Sequence, residues 1–273
     1  MYIPFFIINF LMKRLLIDIG NTRMKGCIAE DRKLGKIHST EYGKPAFIDD
    51  YKKFLNVFVP EEKNTFLHNQ IISGFEYVYV SLLDKDSASG IRFSTKGYTT
   101  FFINTQSQLP IEIDYTHTLG SDRICSAVGA YKKYKNKTNI LIIDLGTATT
   151  FNVVSKGVYK GGMISTGIKT SADALLARTT LPDVLLKPEA KLINNETEGA
   201  IISGIVFQQV MFIQKAIEEY RKLFGDLFVV ATGGGIDLIK KHETGIDKFE
   251  PNLVLEGLNY IAIYNETIRK KQE

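Results

Sequence analysis

ILIIDLGTATTF, residues 140–151, repeats the pattern of an earlier stretch, LLIDIGNTRMKG, residues 15–26. In each, an apolar run (Leu15 to Ile17; Ile140 to Ile143) ends on an aspartate, a hydrophobe and a glycine, followed by small hydroxyl or amide residues. Apolar runs of this length, bounded by a turn signal, predict buried strands. The glycine lets the backbone turn sharply and approach a ligand with no Cβ in the way. Free N–H groups and threonine hydroxyls in such a hairpin can cradle phosphate oxygens, and the aspartate at the strand end can hold a cation or a metal-bound water. Asp18 and Asp144 stand 126 positions apart (144 − 18), close to half of the 273 residues. That spacing predicts a duplicated α/β domain, each copy presenting one phosphate loop to a central cleft.

A third element, LFVVATGGGIDLI at residues 227–239, is again an apolar strand running into glycines (Gly233, Gly234, Gly235) and then an apolar, helix-like segment. A single aspartate-x-glycine at a strand end is most often a plain turn, but two in the same strand context, with this third loop, point to nucleotide chemistry. The chain has neither GxGxxG nor GxxxxGK[ST], so a Rossmann cofactor site and a P-loop are both unsupported.

Composition is that of an ordinary globular protein, with 44% apolar and 23% charged residues. The net charge of +4 comes from dispersed Lys and Arg and gives nucleic-acid binding no support. Two cysteines, Cys27 and Cys125, and four scattered histidines form no zinc or disulfide pattern, which fits a reducing cytoplasm. The opening MYIPFFIINFL is too short for a membrane span, which takes roughly 20 apolar residues. Its basic pair, Lys13 and Arg14, follows the apolar run, whereas a secretory signal puts charge first. Residues 1–12 therefore read as an extension, with Met12 a plausible initiator or, alternatively, a surface arm.

LLIDIGNTRMKG, LGSDRICSAVGAY, IIDLGTATTFNVV, GVYKGGMISTGIKTSADAL, TTLPDV, NETEGAIISG and VVATGGG come in the order and spacing of type III pantothenate kinases. The resemblance covers residues 13 to 262, within the superfamily of acetate kinase, sugar kinases and actin. It implies duplicated ribonuclease H-like (actin-like ATPase) domains, each a mixed central sheet flanked by helices, at residues 13–116 and 117–273. It implies transfer of phosphate from ATP, with magnesium, to the 4′-hydroxyl of pantothenate, the first committed step of coenzyme A synthesis.

The resemblance also carries residue roles. Asp122 matches the family's proton acceptor. Gly120, Ser121, Asp122 itself, Arg123 and Thr197 match substrate-binding positions, and the Arg123 guanidinium suits the carboxylate of pantothenate. Asp18, Gly20, Asn21, Thr22, Arg23, Met24 and Lys25 match the first phosphate loop, Asp18 near the magnesium. Asp144 matches a site for a monovalent cation, potassium or ammonium, and Thr147, Gly233 and Gly234 match ATP contacts. Family members are dimers, so a homodimer is expected.

Local patterns offer plainer readings of the same residues. Ile124, Val128, Tyr131 and Lys135 recur at helical steps, predicting a helix that begins near Asp122 with Ser121 as N-cap. Its free N–H groups would suit an anion, yet Asp122 could simply complement the helix dipole. NETE before the long apolar helix reads as a capping box of Asn195 and Glu198 as well as a substrate contact. That helix carries Val206, Val210, Ile213, Ile217, Tyr220 and Phe224 on one stripe, widened by Ile205, Phe212, Ala216 and Leu223, which fits either a dimer contact or a central core helix. Gly161, Gly162 and Gly167 could pass close to the substrate or form ordinary turns.

Two departures from the family stand out. Ile113 and Thr116 replace the usual Tyr and Pro before the GSDR motif, with Tyr115 two residues away, and Thr166 replaces a Pro. Neither touches an acid or a phosphate loop, so kinase chemistry is expected with an altered fit to pantothenate. The alternatives are a kinase of the same superfamily for another small substrate, or a non-catalytic regulator. A regulator would be expected to have lost the acids that this chain keeps. Residues 30–115 contribute predicted strands at YVYVSLL and TTFFINT and no motif.

Overall fold

The computed structural model describes residues 12–42, 47–59, 75–82, 88–95 and 97–272, so the apolar N-terminal run lies outside the described residues. The chain divides into two compact units, one reaching Ile103 and including the end of the chain from Arg269, the other Asn104–Ile268.

Each unit is built on a six-stranded sheet. In the first, strands β1 (Lys13–Ile19) and β2 (Arg23–Glu30) form the antiparallel hairpin read from LLIDIGNTRMKG. The short β3 (Lys33–Leu34) and β4 (His38–Glu41) both pair with β2. On the other side of β1 lie β5 (Phe75–Leu82) and β6 (Thr99–Phe102), both parallel, matching the two strands predicted in this region. In the second sheet, β7 (Glu112–Ile113) pairs with the edge of β10 (Val158–Thr166). The hairpin of β8 (Asn139–Leu145) and β9 (Ala148–Ser155) is extended by the antiparallel β10 (Val158–Thr166) and flanked by the parallel β11 (Phe228–Thr232) and β12 (Lys248–Phe249).

The strand orders β3-β2-β1-β5-β6 and β10-β9-β8-β11-β12 are therefore the same path, three antiparallel strands followed by two parallel ones. The repeated sequence is a repeated fold, and β4 and β7 are additions to opposite copies. The parallel steps need crossover helices because parallel neighbours cannot be joined by a tight turn. In the second unit α3 (Ser121–Lys133) and α7 (Leu253–Arg269) cover one face, and α4 (Ile168–Leu176) and α5 (Thr197–Phe224) the other. The first unit carries α1 (Phe47–Leu55) and α2 (Ala88–Ser94), whose Tyr51, Phe54 and Ile91 are buried with Leu15, Ile17 and Val80.

α5 is the one described helix with the length and apolarity of a membrane span, but Val206, Ile213 and Ile217 are buried against Phe151, Val153 and Val229 in the second core. The stripe read from sequence is thus a core stripe on one side. The positions that widen it divide: Ile205 and Ala216 are buried, whereas Phe212 and Leu223 are exposed. The capping box does not form, since Glu196 is the N-cap and no side chain caps the helix. α3 shows a similar one-residue correction: Gly120 is the N-cap, Ser121 is the first helical residue, and the helix ends before Lys135.

Candidate active site

α3 brings Asp122 and Arg123 to its first turn, on the sheet face that also carries Asn152. Successive helical residues project about 100° apart, so the two charged side chains point in different directions. Asp122 Oδ1 accepts the Arg123 N–H at 2.8 Å, which leaves its second oxygen as an acceptor. Burial pushes the Asp122 carboxyl above the usual carboxylate range, outweighing the opposing pull of the Arg123 N–H and guanidinium. Such a shift makes a carboxylate a better proton acceptor.

Arg123 is only 7% exposed, unusual for an arginine. Its Nε donates to Asn152 Oδ1 at 2.6 Å, and its guanidinium carbon lies 5.4 Å and 5.9 Å from the ring centroids of Tyr115 and Tyr159. Its Nη2 is buried and has no hydrogen-bond partner among the described residues. A buried, unmatched guanidinium donor is costly unless a ligand acceptor completes it. Tyr159 donates to the same Asn152 oxygen at 2.8 Å.

Gly161 sits opposite Tyr115, where a β-carbon would come within 3.3 Å of the ring. Neither Gly161 nor Gly162 is in the hairpin turn, which belongs to Lys156 and Gly157, both with positive φ. They lie instead at a register shift inside β10, and a β-carbon on Gly162 would fall 1.8 Å from the Phe151 carbonyl oxygen. The plain turn reading of these two glycines is therefore replaced by close packing, Gly161 against the Tyr115 ring and Gly162 against the β9 backbone.

The β8–β9 hairpin places Asp144 at the strand end, directly across from Thr150, with Ile142 across from Asn152. Opposed residues of an antiparallel pair share a face, so Asp144 and Thr150 lie on the Asn152 side. The glycine loop closes on this turn: Gly235 N–H bonds to Leu145 O at 2.8 Å, and Gly233 takes φ +95° beside the Asp144 carboxylate. The expected helix after the glycines is a single turn, α6 (Ile236–Ile239). Thr147 is exposed, and its carbonyl accepts from Gly167 N–H at 3.0 Å and Thr170 Oγ1 at 2.6 Å.

The first unit has the corresponding turn, one residue longer. Gly20 N–H bonds to Arg23 O at 3.0 Å, and Asp18 faces Lys25 across the strands. Asn21 and Thr22 are exposed, and Arg23 pairs with Glu41 at 2.7 Å. The Met24 side chain is fully buried in the first core, so only its main chain can meet a ligand. Tyr42 clasps the loop, its hydroxyl donating to Gly20 O and its N–H to Thr22 O.

Thus Asp122, Arg123 and Asp144 share one face of the second sheet. Thr197 is the exposed first residue of α5, whose core stripe packs on the opposite face. Asn152 and Tyr159 stand out in no sequence pattern, and Tyr115 stands out only as the tyrosine two residues from Ile113. The available signal was a lone amide, Asn152, in the otherwise apolar run FNVV. Among the described residues no group of three His, Cys, Asp or Glu side chains gathers as a metal cluster.

Known proteins agree with this architecture. The family model for type III pantothenate kinase matches residues 14–219. A type III pantothenate kinase of Christiangramia forsetii is 32% identical over 257 residues, 93% of this chain and 99% of that protein. Among solved structures, a conserved Campylobacter jejuni protein assigned to the Baf family of transcriptional activators superposes with TM-score 0.60 at 19% identity, covering 93% of this chain and 99% of that one. A ROK family glucokinase of Streptomyces griseus, in complex with glucose and AMPPNP, superposes with TM-score 0.52 at 9% identity over 91% and 98% of the two chains, a likeness of fold.

Proposed function

The chain belongs to the type III pantothenate kinase family, and we propose that it transfers the γ-phosphoryl group of ATP to the 4′-hydroxyl of pantothenate, the first committed step of coenzyme A synthesis. The observation that carries this reading is the buried Arg123 guanidinium with an unmatched Nη2, one residue from a carboxylate whose proton affinity burial raises. Arg123 binds the substrate carboxylate, with Gly120, Ser121 and Thr197 as further substrate contacts. Asp122 orients the attacking hydroxyl and accepts its proton. Phosphoryl transfer needs little more than this positioning and neutralisation of charge on the phosphates.

Thr147, Gly233 and Gly234 serve as nucleotide contacts in the second unit. In the first, Asp18, Gly20, Asn21, Thr22, Arg23, the main chain of Met24 and Lys25 serve as a phosphate loop. Magnesium commonly binds through one or two carboxylates plus substrate phosphates, and Asp18 suits that role without a dedicated metal cluster. Asp144 suits a potassium or ammonium ion: it presents a carboxylate at a strand end, across from the Thr150 hydroxyl, beside Gly146 and Gly233, which have no side chains to fill the space. The exposed Met211, Phe212 and Leu223 of α5 support a homodimer.

The test is ADP release by the purified protein with pantothenate, ATP and magnesium, in potassium and in sodium, beside Asp122→Asn. Pantothenate-dependent turnover that needs potassium and collapses in the variant is expected. ATP binding without pantothenate-dependent turnover would overturn the substrate assignment and turn attention to Ile113 and Thr116.

A further inference from the structure

We infer that Asn152 is a positioning residue for substrate recognition, holding the Arg123 guanidinium so that Nη2 stays presented to the substrate carboxylate. The inference rests on the proposed binding of a carboxylate by Arg123.

Asn152 is fully buried in β9 and uses both ends of its amide. Its Oδ1 accepts from Arg123 Nε at 2.6 Å and from Tyr159 at 2.8 Å, while its Nδ2 donates to Thr150 Oγ1 at 2.9 Å. The orientation of the amide follows from this network, because Arg123 can only donate and so must face the oxygen. An arginine side chain has several rotatable bonds and loses its freedom only where something fixes it. Here the Tyr115 and Tyr159 rings bound the guanidinium, but rings alone allow it to slide and rotate. Among the described residues the directional bond to the guanidinium is the one from Nε to Asn152, and since the guanidinium is planar, that bond together with the flanking rings sets the direction of both Nη atoms. Thr150, held at the far end of the same amide, lies across from Asp144. Asn152 therefore links the substrate-binding arginine to the strand end that carries the proposed cation site.

The test compares Asn152→Leu, which keeps the volume and removes the acceptor, with Asn152→Asp, which keeps the acceptor. In Asn152→Leu the KM for pantothenate should rise about 10- to 100-fold, as for a misplaced binding group, while the KM for ATP stays within about twofold. Asn152→Asp should recover most of the loss. Equal changes in both KM values, or an aspartate variant no better than leucine, would overturn the inference.

A second measurement is independent of turnover. The Arg123 Nε–H signal in a 1H–15N spectrum, identified by its disappearance in Arg123→Lys, should exchange slowly with water in the wild type and in Asn152→Asp. Fast exchange in the wild type would overturn the inference even if Asn152→Leu does not fold. A slowly exchanging Nε–H in a wild-type protein that does not use pantothenate would instead remove the parent reading and leave the positioning intact.

Discussion

Gly233 and Asp144 meet so closely that a β-carbon on the glycine would lie 2.4 Å from the Asp144 Oδ1 and 2.7 Å from the Leu145 backbone. Gly233 also takes φ +95°, which L-residues rarely adopt. Gly233→Ala should therefore push the glycine loop off the β8–β9 turn, lowering the thermal midpoint and raising the KM for ATP by about tenfold or more. Gly225→Ala is the control: it also has positive φ, at +70°, but nothing lies within 4 Å of its β-carbon. That variant should cost about 1–3 kcal/mol of backbone strain and leave the KM for ATP unchanged. Equal effects on nucleotide binding would mean that strain alone, not the contact with Asp144, matters.

Asp122→Asn should lower activity sharply yet stabilise the fold at neutral pH. The folded-state pKa of Asp122 is raised above its unfolded value of about 3.9, so the stabilising form is the protonated one, present at low pH and lost as pH rises through the folded value. At about pH 8 the buried charge costs stability, and asparagine removes that cost. Thermal midpoints should thus favour Asp122→Asn at about pH 8, with the gap closing toward pH 4. The same variant should lose about 10²- to 10⁴-fold in kcat if Asp122 is the proton acceptor. A variant less stable than the wild type at pH 8 would show that the Arg123 attraction outweighs burial.

The duplicated hairpins were legible because each is a local pattern, an apolar run, an acid and a glycine, and the topology repeats where the sequence repeats. Asp122 and Arg123 were visible through a motif in consecutive residues. Asn152 was not, because its partners Arg123 and Tyr159 are brought to it by strand pairing and helix packing across many residues. The capping signals misread by one residue for a related reason: Ser121 and Asn195 have the right side chains, but the bends begin at Gly120 and Glu196. Side-chain propensity is a weak guide to an end that tertiary packing decides. For Gly161 and Gly162 the sequence leaves both a close approach to the substrate and an ordinary turn open, because a glycine's contact with a facing part of the chain leaves no mark in its own neighbours.

Tyr42→Phe isolates the clasp on the Gly20–Arg23 turn, the proposed first phosphate loop. The ring contact with Phe47, 5.3 Å between centroids, survives the change, so stability should fall by no more than the one lost hydrogen bond. What is lost is the hydroxyl that donates to Gly20 O, a bond of about 0.5–1.5 kcal/mol, or roughly 2- to 10-fold. That loss should appear in the KM for ATP, with the KM for pantothenate unchanged. Steady-state kinetics with each substrate varied in turn would decide it, and an unchanged KM for ATP would mean that the remaining bond from Tyr42 N–H to Thr22 O suffices to hold the loop.

Arg123→Lys asks whether the site needs a positive charge or a planar fork. Lysine keeps the charge but cannot both satisfy Asn152 Oδ1 and present a second donor along the direction that Nη2 takes. If carboxylate binding depends on the fork, the KM for pantothenate should rise about 10- to 100-fold, corresponding to roughly 1.5–3 kcal/mol for a hydrogen bond to a charged group. The KM for ATP should hold, because Arg123 faces Asn152 and the tyrosines rather than the glycine loop. A lysine variant with unchanged pantothenate kinetics would show that charge alone draws the substrate in, and the fixed orientation argued for the guanidinium would then have no part in recognition.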